Sequence, residues 1–235
     1  MIKELSKLRK AREDQSGFTL IELLVVIGIL AILLAITLIA INPNKHFEDV
    51  RNTQRSSNVG AILDGIYEYE SANNGNQPPS VKNVGAGALE LGEAATQNPS
   101  GTSFASTTLT FTGLSGNTVS SGNVLVTGCA NSGNDGDFPV TSSTSSTLLV
   151  TDASGVAGDT SCVVSSAVNL CTDLTPTFLA DLPTDPKTGT VTGGSTPCAS
   201  GTTAYDTGYT ISSSNGRFTI AAPAAEDGQT ISVTR

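Results

Sequence analysis

The stretch from Gly17 to Ile41 reads GFTLIELLVVIGILAILLAITLIAI, and the rest of the chain is placed by it. From Phe18 to Ile41 only Thr19, Glu22, Gly28 and Thr37 interrupt an apolar run. As a helix rising 1.5 Å per residue the run is roughly 36 Å long, enough to cross a bilayer. Ahead of it Lys3, Lys7, Arg9, Lys10 and Arg12 outnumber Glu4, Glu13 and Asp14. The positive-inside rule therefore keeps residues 1–17 in the cytoplasm and puts everything after Ile41 on the far side. A secretory signal fits less well, because its apolar core is shorter and a small-residue cleavage site follows it. Here the run is followed by Asn42-Pro43-Asn44-Lys45. A single-span signal anchor accounts for the run but not for Glu22.

A carboxylate that deep in an apolar run costs a few kcal/mol unless it lies near the interface, is protonated or is paired. An anchor has no use for that cost. A subunit that must find a partner inside the membrane does, since a cation brought beside the charge relieves it and selects register at the same time. A neighbouring chain's N-terminal amine is such a cation, provided the chain begins just before Glu22, and Gly17-Phe18 would supply that start.

The residues Gly17-Phe18-Thr19-Leu20-Ile21-Glu22-Leu23-Leu24-Val25-Val26-Ile27 resemble the class III signal of type IV pilins and type II secretion pseudopilins. The resemblance implies a bacterial prepilin that a membrane-embedded prepilin peptidase cuts between Gly17 and Phe18 and then N-methylates on Phe18, with Glu22 as the assembly carboxylate. It implies an α+β pilin-like fold, a long N-terminal helix carrying a C-terminal antiparallel β-sheet domain. It further implies a single-pass inner-membrane precursor, partners in other pilins and in the inner-membrane assembly machinery, and a filament outside the cell. A pseudopilin of a secretion system is the alternative within the family, and a signal-anchored surface binding protein that never polymerises is the alternative outside it. Losing the leader takes the 235-residue chain to 218 residues and its net charge from −9 to −11, because the leader carries five positive and three negative side chains. One departure is visible: the first helix breaker, Pro43, comes after the apolar run, later than the proline usual in Gram-negative pilins.

The remainder reads in segments. Residues 18–41 are the transmembrane and filament-core helix, 42–72 its amphipathic half, and 73–235 a β-rich domain. Phe47, Val50, Gln54, Ala61, Ile62, Ile66 and Tyr69 recur at helical spacing, and Pro43 suits a first helical turn. Glu48, Asp49, Arg51, Arg55, Asp64 and Glu68 form polar faces that read as solvated, with inter-subunit charge contacts as the other reading. The Asn73-Asn74-Gly75-Asn76-Gln77-Pro78-Pro79 cluster ends the helix. A short helix is expected over Ala88–Thr96. Strands are expected at Thr107–Thr112, Asn123–Thr127, Thr147–Thr151, Cys162–Ser165, Tyr209–Ser213, Arg217–Ala221 and Thr230–Val233, where Thr and Val dominate. Ser213-Ser214-Asn215-Gly216 is the clearest hairpin signal. Strands in series without intervening helices imply an antiparallel sheet.

Cys129, Cys162, Cys171 and Cys198 allow three pairings, which spacing alone leaves open, and none has Cys-x-x-Cys spacing. Cys171 with Cys198 would resemble the C-terminal disulfide loop of many pilins, leaving Cys129 with Cys162; buried thiols are the alternative. No cofactor is expected. Calcium is invited by the oxygen-rich Asn131–Asp137 segment, but Gly133 stands where a side-chain oxygen is needed and Ser142 where the bidentate acid belongs. Asp181 and Asp185 have the Asp-Pro loop character of a region where some pseudopilins bind calcium, without qualifying as ligands. His46 has no nucleophile motif nearby, and Glu68 and Glu70 do not share a helical face, so the reading is not an enzyme. The net charge of −9 argues against nucleic-acid binding by bulk charge. The Thr141–Thr147 tract reads as a loop, with O-linked sugar as its functional reading.

Overall fold

A computed structural model describes residues 18–93, 97–115, 119 and 122–235, and the chain divides after Phe47 into two units. Helix α1 spans Leu20–Ile41 and helix α2 spans Pro43–Ala72. The one non-helical residue between them, Asn42, adopts φ 42° and ψ 75°. A residue before proline is kept out of the right-handed helical region, and asparagine tolerates the left-handed one better than most. Pro43 then opens α2, where its missing N–H costs nothing. α2 ends at Ala72, with Asn74 and Gly75 at positive φ and the Gly75 amide donating to the Glu70 carbonyl at 2.7 Å.

Residues 48–235 form an α+β unit with two six-stranded sheets. The first contains β1 (Leu89–Gly92), β8 (Ala167–Val168), β9 (Thr190–Thr192), β10 (Ala204–Ser214), β11 (Arg217–Ala222) and β12 (Ile231–Thr234), ordered β12-β11-β10-β1-β8 with β9 also beside β10. The second contains β2 (Gly101–Ala105), β3 (Thr108–Thr112), β4 (Asn123–Thr127), β5 (Gly136–Ser143), β6 (Thr147–Thr151) and β7 (Val163–Ser165), ordered β2-β3-β6-β5-β4-β7. All pairings are antiparallel except β1 with β8. The β10–β11 hairpin turns on Asn215 and Gly216, both at positive φ, as a two-residue turn of the primed type requires.

Each sheet has its own core. Val59, Ile62, Leu63 and Ile66, spaced i, i+3, i+4, i+7, put one face of α2 against Leu89, Leu91, Tyr209, Ile211, Phe218 and Ile220. Gly65 lets Leu179 approach this face, since a Cβ there would stand 2.9 Å from Leu179 Cγ. Leu109, Phe111, Val124, Val126, Leu148 and Val150 form the second core. β4 serves both, because its central Leu125 faces the first core while Val124 and Val126 face the second.

Several expectations are corrected. In place of a helix over Ala88–Thr96 there is β1, with Leu89 and Leu91 buried on either side of exposed Glu90; residues 94–96 lie outside the described residues. Period-two burial and pairing with β10 override a helix-favouring composition here. The expected antiparallel sheet domain is present and consists of two sheets. Thr141–Ser143 belong to β5, and only residues 144–146 connect it to β6. On α2, Phe47 and Val50 are 62% and 64% exposed and Gln54 is exposed as well. Arg55, placed on a solvated face, is fully buried.

Candidate functional site

Thr19 is the N-cap of α1 and Glu22 its third residue, and the two close a capping box. The Thr19 amide and hydroxyl both donate to Glu22 Oε2 at 2.8 Å, and the Glu22 amide donates to Thr19 Oγ1 at 3.3 Å. The carboxylate therefore folds back toward the chain's N-terminal side, where the helix dipole favours negative charge. Around it nothing is covered: from Leu20 to Ile39 each Leu, Ile and Val is between 49% and 82% exposed, and Phe18 is 80% exposed. Fully burying one such side chain is worth about 1.5–3 kcal/mol, so this surface is a large unmet driving force. α1 is long and apolar enough to cross a membrane. Gly17 lies outside the described residues; His46 is exposed in the first turn of α2.

A second constellation was not read from the sequence. Arg55 Nε and Nη2 donate to Asp185 Oδ2 and Oδ1 at 2.5 and 3.1 Å, and Nη1 donates to Asn52 Oδ1 at 2.9 Å and Glu226 Oε2 at 3.0 Å. Glu226 also takes Arg51 at 2.6 and 2.9 Å and Lys187 at 2.7 Å. The Asn52 amide group clasps the Glu226 backbone on both sides, at 2.9 and 3.0 Å. Three positive and two negative side chains thus fasten two distant loops to α2. Arg51 and Lys187 pull the Glu226 carboxyl well below the ordinary carboxylate range. Burial pushes Asp185 up, but Arg55 and the amides of Thr188 and Lys187 outweigh it, and the carboxyl ends below its usual value. One signal was available in the sequence: Arg55 sits four residues before Val59 and seven before Ile62, on the buried stripe. Glu226, 171 residues from Arg55, had no local signal.

The cysteines form two disulfides, Cys129–Cys162 and Cys171–Cys198. The segments that invite calcium are internally bonded. Asp135 Oδ1 accepts the Cys129 amide at 2.9 Å, and the side chain of buried Asn134 bonds the Val156 amide and carbonyl at 2.6 and 2.9 Å. Asp181 Oδ1 accepts the amides of Leu182 and Cys198 at 2.8 and 3.0 Å. Beside the first disulfide, Asp159 accepts amides from Asn131, Ser161 and Ala130 at 2.9, 3.1 and 3.2 Å. These bonds, the one from Asn131 first, hold its carboxyl low.

A family model described as the prokaryotic N-terminal methylation motif matches residues 12–38. No curated protein and no solved structure matched the chain. Over these residues the chain carries the N-terminal methylation motif, a signal that supports kinship with the type IV pilins and type II secretion pseudopilins.

Proposed function

We propose that the chain is a prepilin: cut between Gly17 and Phe18, methylated on Phe18 and polymerised through α1 into a type IV pilus-like filament, with residues 48–235 as its outer domain. Before assembly α1 anchors it in the inner membrane; prepilin peptidase and the inner-membrane assembly machinery are its processing partners. The observation that carries this reading is α1 itself. Its side chains are exposed on every side, and its one ionised group, Glu22, sits in the first turn. Packing of such helices against copies of themselves removes apolar surface from lipid and water. A neighbour's cationic N-terminus beside Glu22 turns a burial penalty into a register signal. The reading is structural, with the subunit's work done by assembly and not by catalysis.

Glu22→Ala tests it. In the native organism the variant should accumulate in the membrane at normal levels while the protein sheared from the cell surface falls at least tenfold. Normal shear release of Glu22→Ala would show that Glu22 has no part in assembly. Protein that is processed but stays in the envelope in the unaltered strain would move the reading to a secretion pseudopilus.

A further inference from the structure

A cleft of about 520 Å³ opens at the seam between the sheets, where the β8 edge of the first meets the β4–β7 end of the second. That volume lies within the roughly 300–1,000 Å³ of small-molecule sites. Its floor is apolar, formed by Leu125 and Val168, which are 6% and 1% exposed. Its walls are polar and fall into two sets. In the first set the groups are engaged with each other. Asp173 Oδ2 takes the amide and hydroxyl of Ser80 at 3.0 and 2.6 Å, and Asn169 Oδ1 takes the Cys171 amide and the Tyr205 hydroxyl at 2.9 and 2.8 Å. They fix the shape of the cleft.

The second set is unengaged. The side chains of Lys82, Asn83, Glu93, Thr127 and Thr172 line the cleft and make no hydrogen bond or ion pair among the described residues. They come from four separate stretches of chain. Glu93 is brought there by a bulge, since the β1–β10 register slips between Glu90 and Gly92 and the Glu93 amide then donates to the Tyr205 carbonyl at 2.9 Å. The bulge needs its glycine: a Cβ on residue 92 would stand 2.8 Å from that carbonyl oxygen.

We propose that this cleft binds carbohydrate, a mono- or disaccharide unit of a glycan. The unengaged set mixes a cationic donor, an anionic acceptor, an amide and two hydroxyls. A ligand that satisfies all of them at once must donate and accept from several directions, as a polyol does. The C–H face of a sugar ring covers an apolar floor such as Leu125 and Val168. An anion is disfavoured because Lys82 shares the walls with Glu93 and Asp173. An extended peptide is disfavoured because the groups on offer are scattered side chains and not a row of backbone amides and carbonyls. The inference goes beyond the filament reading and stands whether or not the chain polymerises.

The test is a titration of the full-length, isotope-labelled protein in detergent micelles with lactose, cellobiose and N,N′-diacetylchitobiose, and with an alternating Ser-Val pentapeptide, followed by amide NMR. At least one disaccharide should give saturable shifts at Glu93, Thr127 and Val168 while the β10–β11 hairpin resonances stay put. The double variant Asn83→Ala/Thr127→Val removes groups that bond nothing in the fold. It should keep the spectrum of the folded protein and bind that disaccharide at least about tenfold more weakly. Absence of saturable shifts with all three disaccharides, shifts with the pentapeptide alone, or binding that survives the double variant would each overturn the proposal.

Discussion

Two regions of this molecule treat the same kinds of side chain in opposite ways. In α1 every Leu, Ile and Val up to Ile39 is at least 49% exposed, whereas in residues 48–235 Val59, Ile62, Leu63, Leu109, Phe111 and Tyr209 are fully buried. Residues 48–235 close on themselves through two cores, two disulfides, and a buried arginine with its own carboxylates. Among the described residues the helix adds to its capping box only the side-chain bond from the Thr37 hydroxyl to the Leu34 carbonyl, and its apolar side chains up to Ile39 stay exposed. Under the proposed function the exposed unit is completed by lipid first and then by other subunits. The charges follow the same division, since Arg55 is neutralised within the fold while Glu22 has, among the described residues, only the Thr19 amide and hydroxyl as donors to its side chain.

The sharpest way to break this contrast is at Arg55. Replacing it with Met strands Asp185 as a buried charge, so unfolding of the full-length protein in micelles should become easier by about 3–5 kcal/mol. Adding Asp185→Asn should recover part of that loss. A cost under about 1 kcal/mol would mean the cluster is solvated and the outer unit less closed than described.

Equal truncations in the two regions come next. Ile62→Ala should cost the outer unit about 2–5 kcal/mol, while Leu30→Ala should leave its denaturation midpoint unchanged and lower only the yield of filament. A matching loss of stability from Leu30→Ala would contradict the independence of the regions.

Acid should separate them as well. Asp185 and Glu226 have folded-state values below their unfolded ones. The stability they add is therefore complete above the unfolded values, around 4, and is given back as the pH falls through the folded ones. Denaturant midpoints should be level from neutrality to about pH 5 and fall below about pH 4, with a shallower fall in Arg55→Met. Asp137, pushed up by burial, carries the opposite sign: its penalty grows as the pH rises past its unfolded value. An acid limb that Arg55→Met leaves unaltered would remove the cluster from the explanation. The smallest effect belongs to Lys187→Ala. With Lys187 60% exposed in its pair with Glu226, the change should cost no more than about 1 kcal/mol, read from the same denaturant curves.

What could be read from the sequence was what local pattern encodes. The apolar run, its single carboxylate and the Asn215-Gly216 turn each declare themselves within a few residues. β1 did not, because Ala88-Leu89-Glu90-Leu91 has helical composition and becomes a strand only through β10, more than a hundred residues on. Phe47 and Val50 continue the helical spacing of the apolar residues of α2 but stay exposed, so spacing alone does not tell where the buried stripe begins. Arg55 has the spacing of the buried stripe of α2 but no local signal for the partners that let a charge be buried there, because the carboxylates that neutralise it, Asp185 and Glu226, come from distant stretches of the chain. The cleft between the sheets was invisible for the same reason, its walls coming from stretches far apart in the chain.

The central claim is that α1 is exposed because it is made to be cut free of its leader and packed against its own kind. Mass spectrometry of intact protein and N-terminal peptides tests this most directly, comparing material sheared from the native cell surface with material kept in the membranes. The account predicts that the sheared species begins at methylated Phe18 and lacks residues 1–17. Sheared or membrane-bound chains that all retain the leader would contradict it.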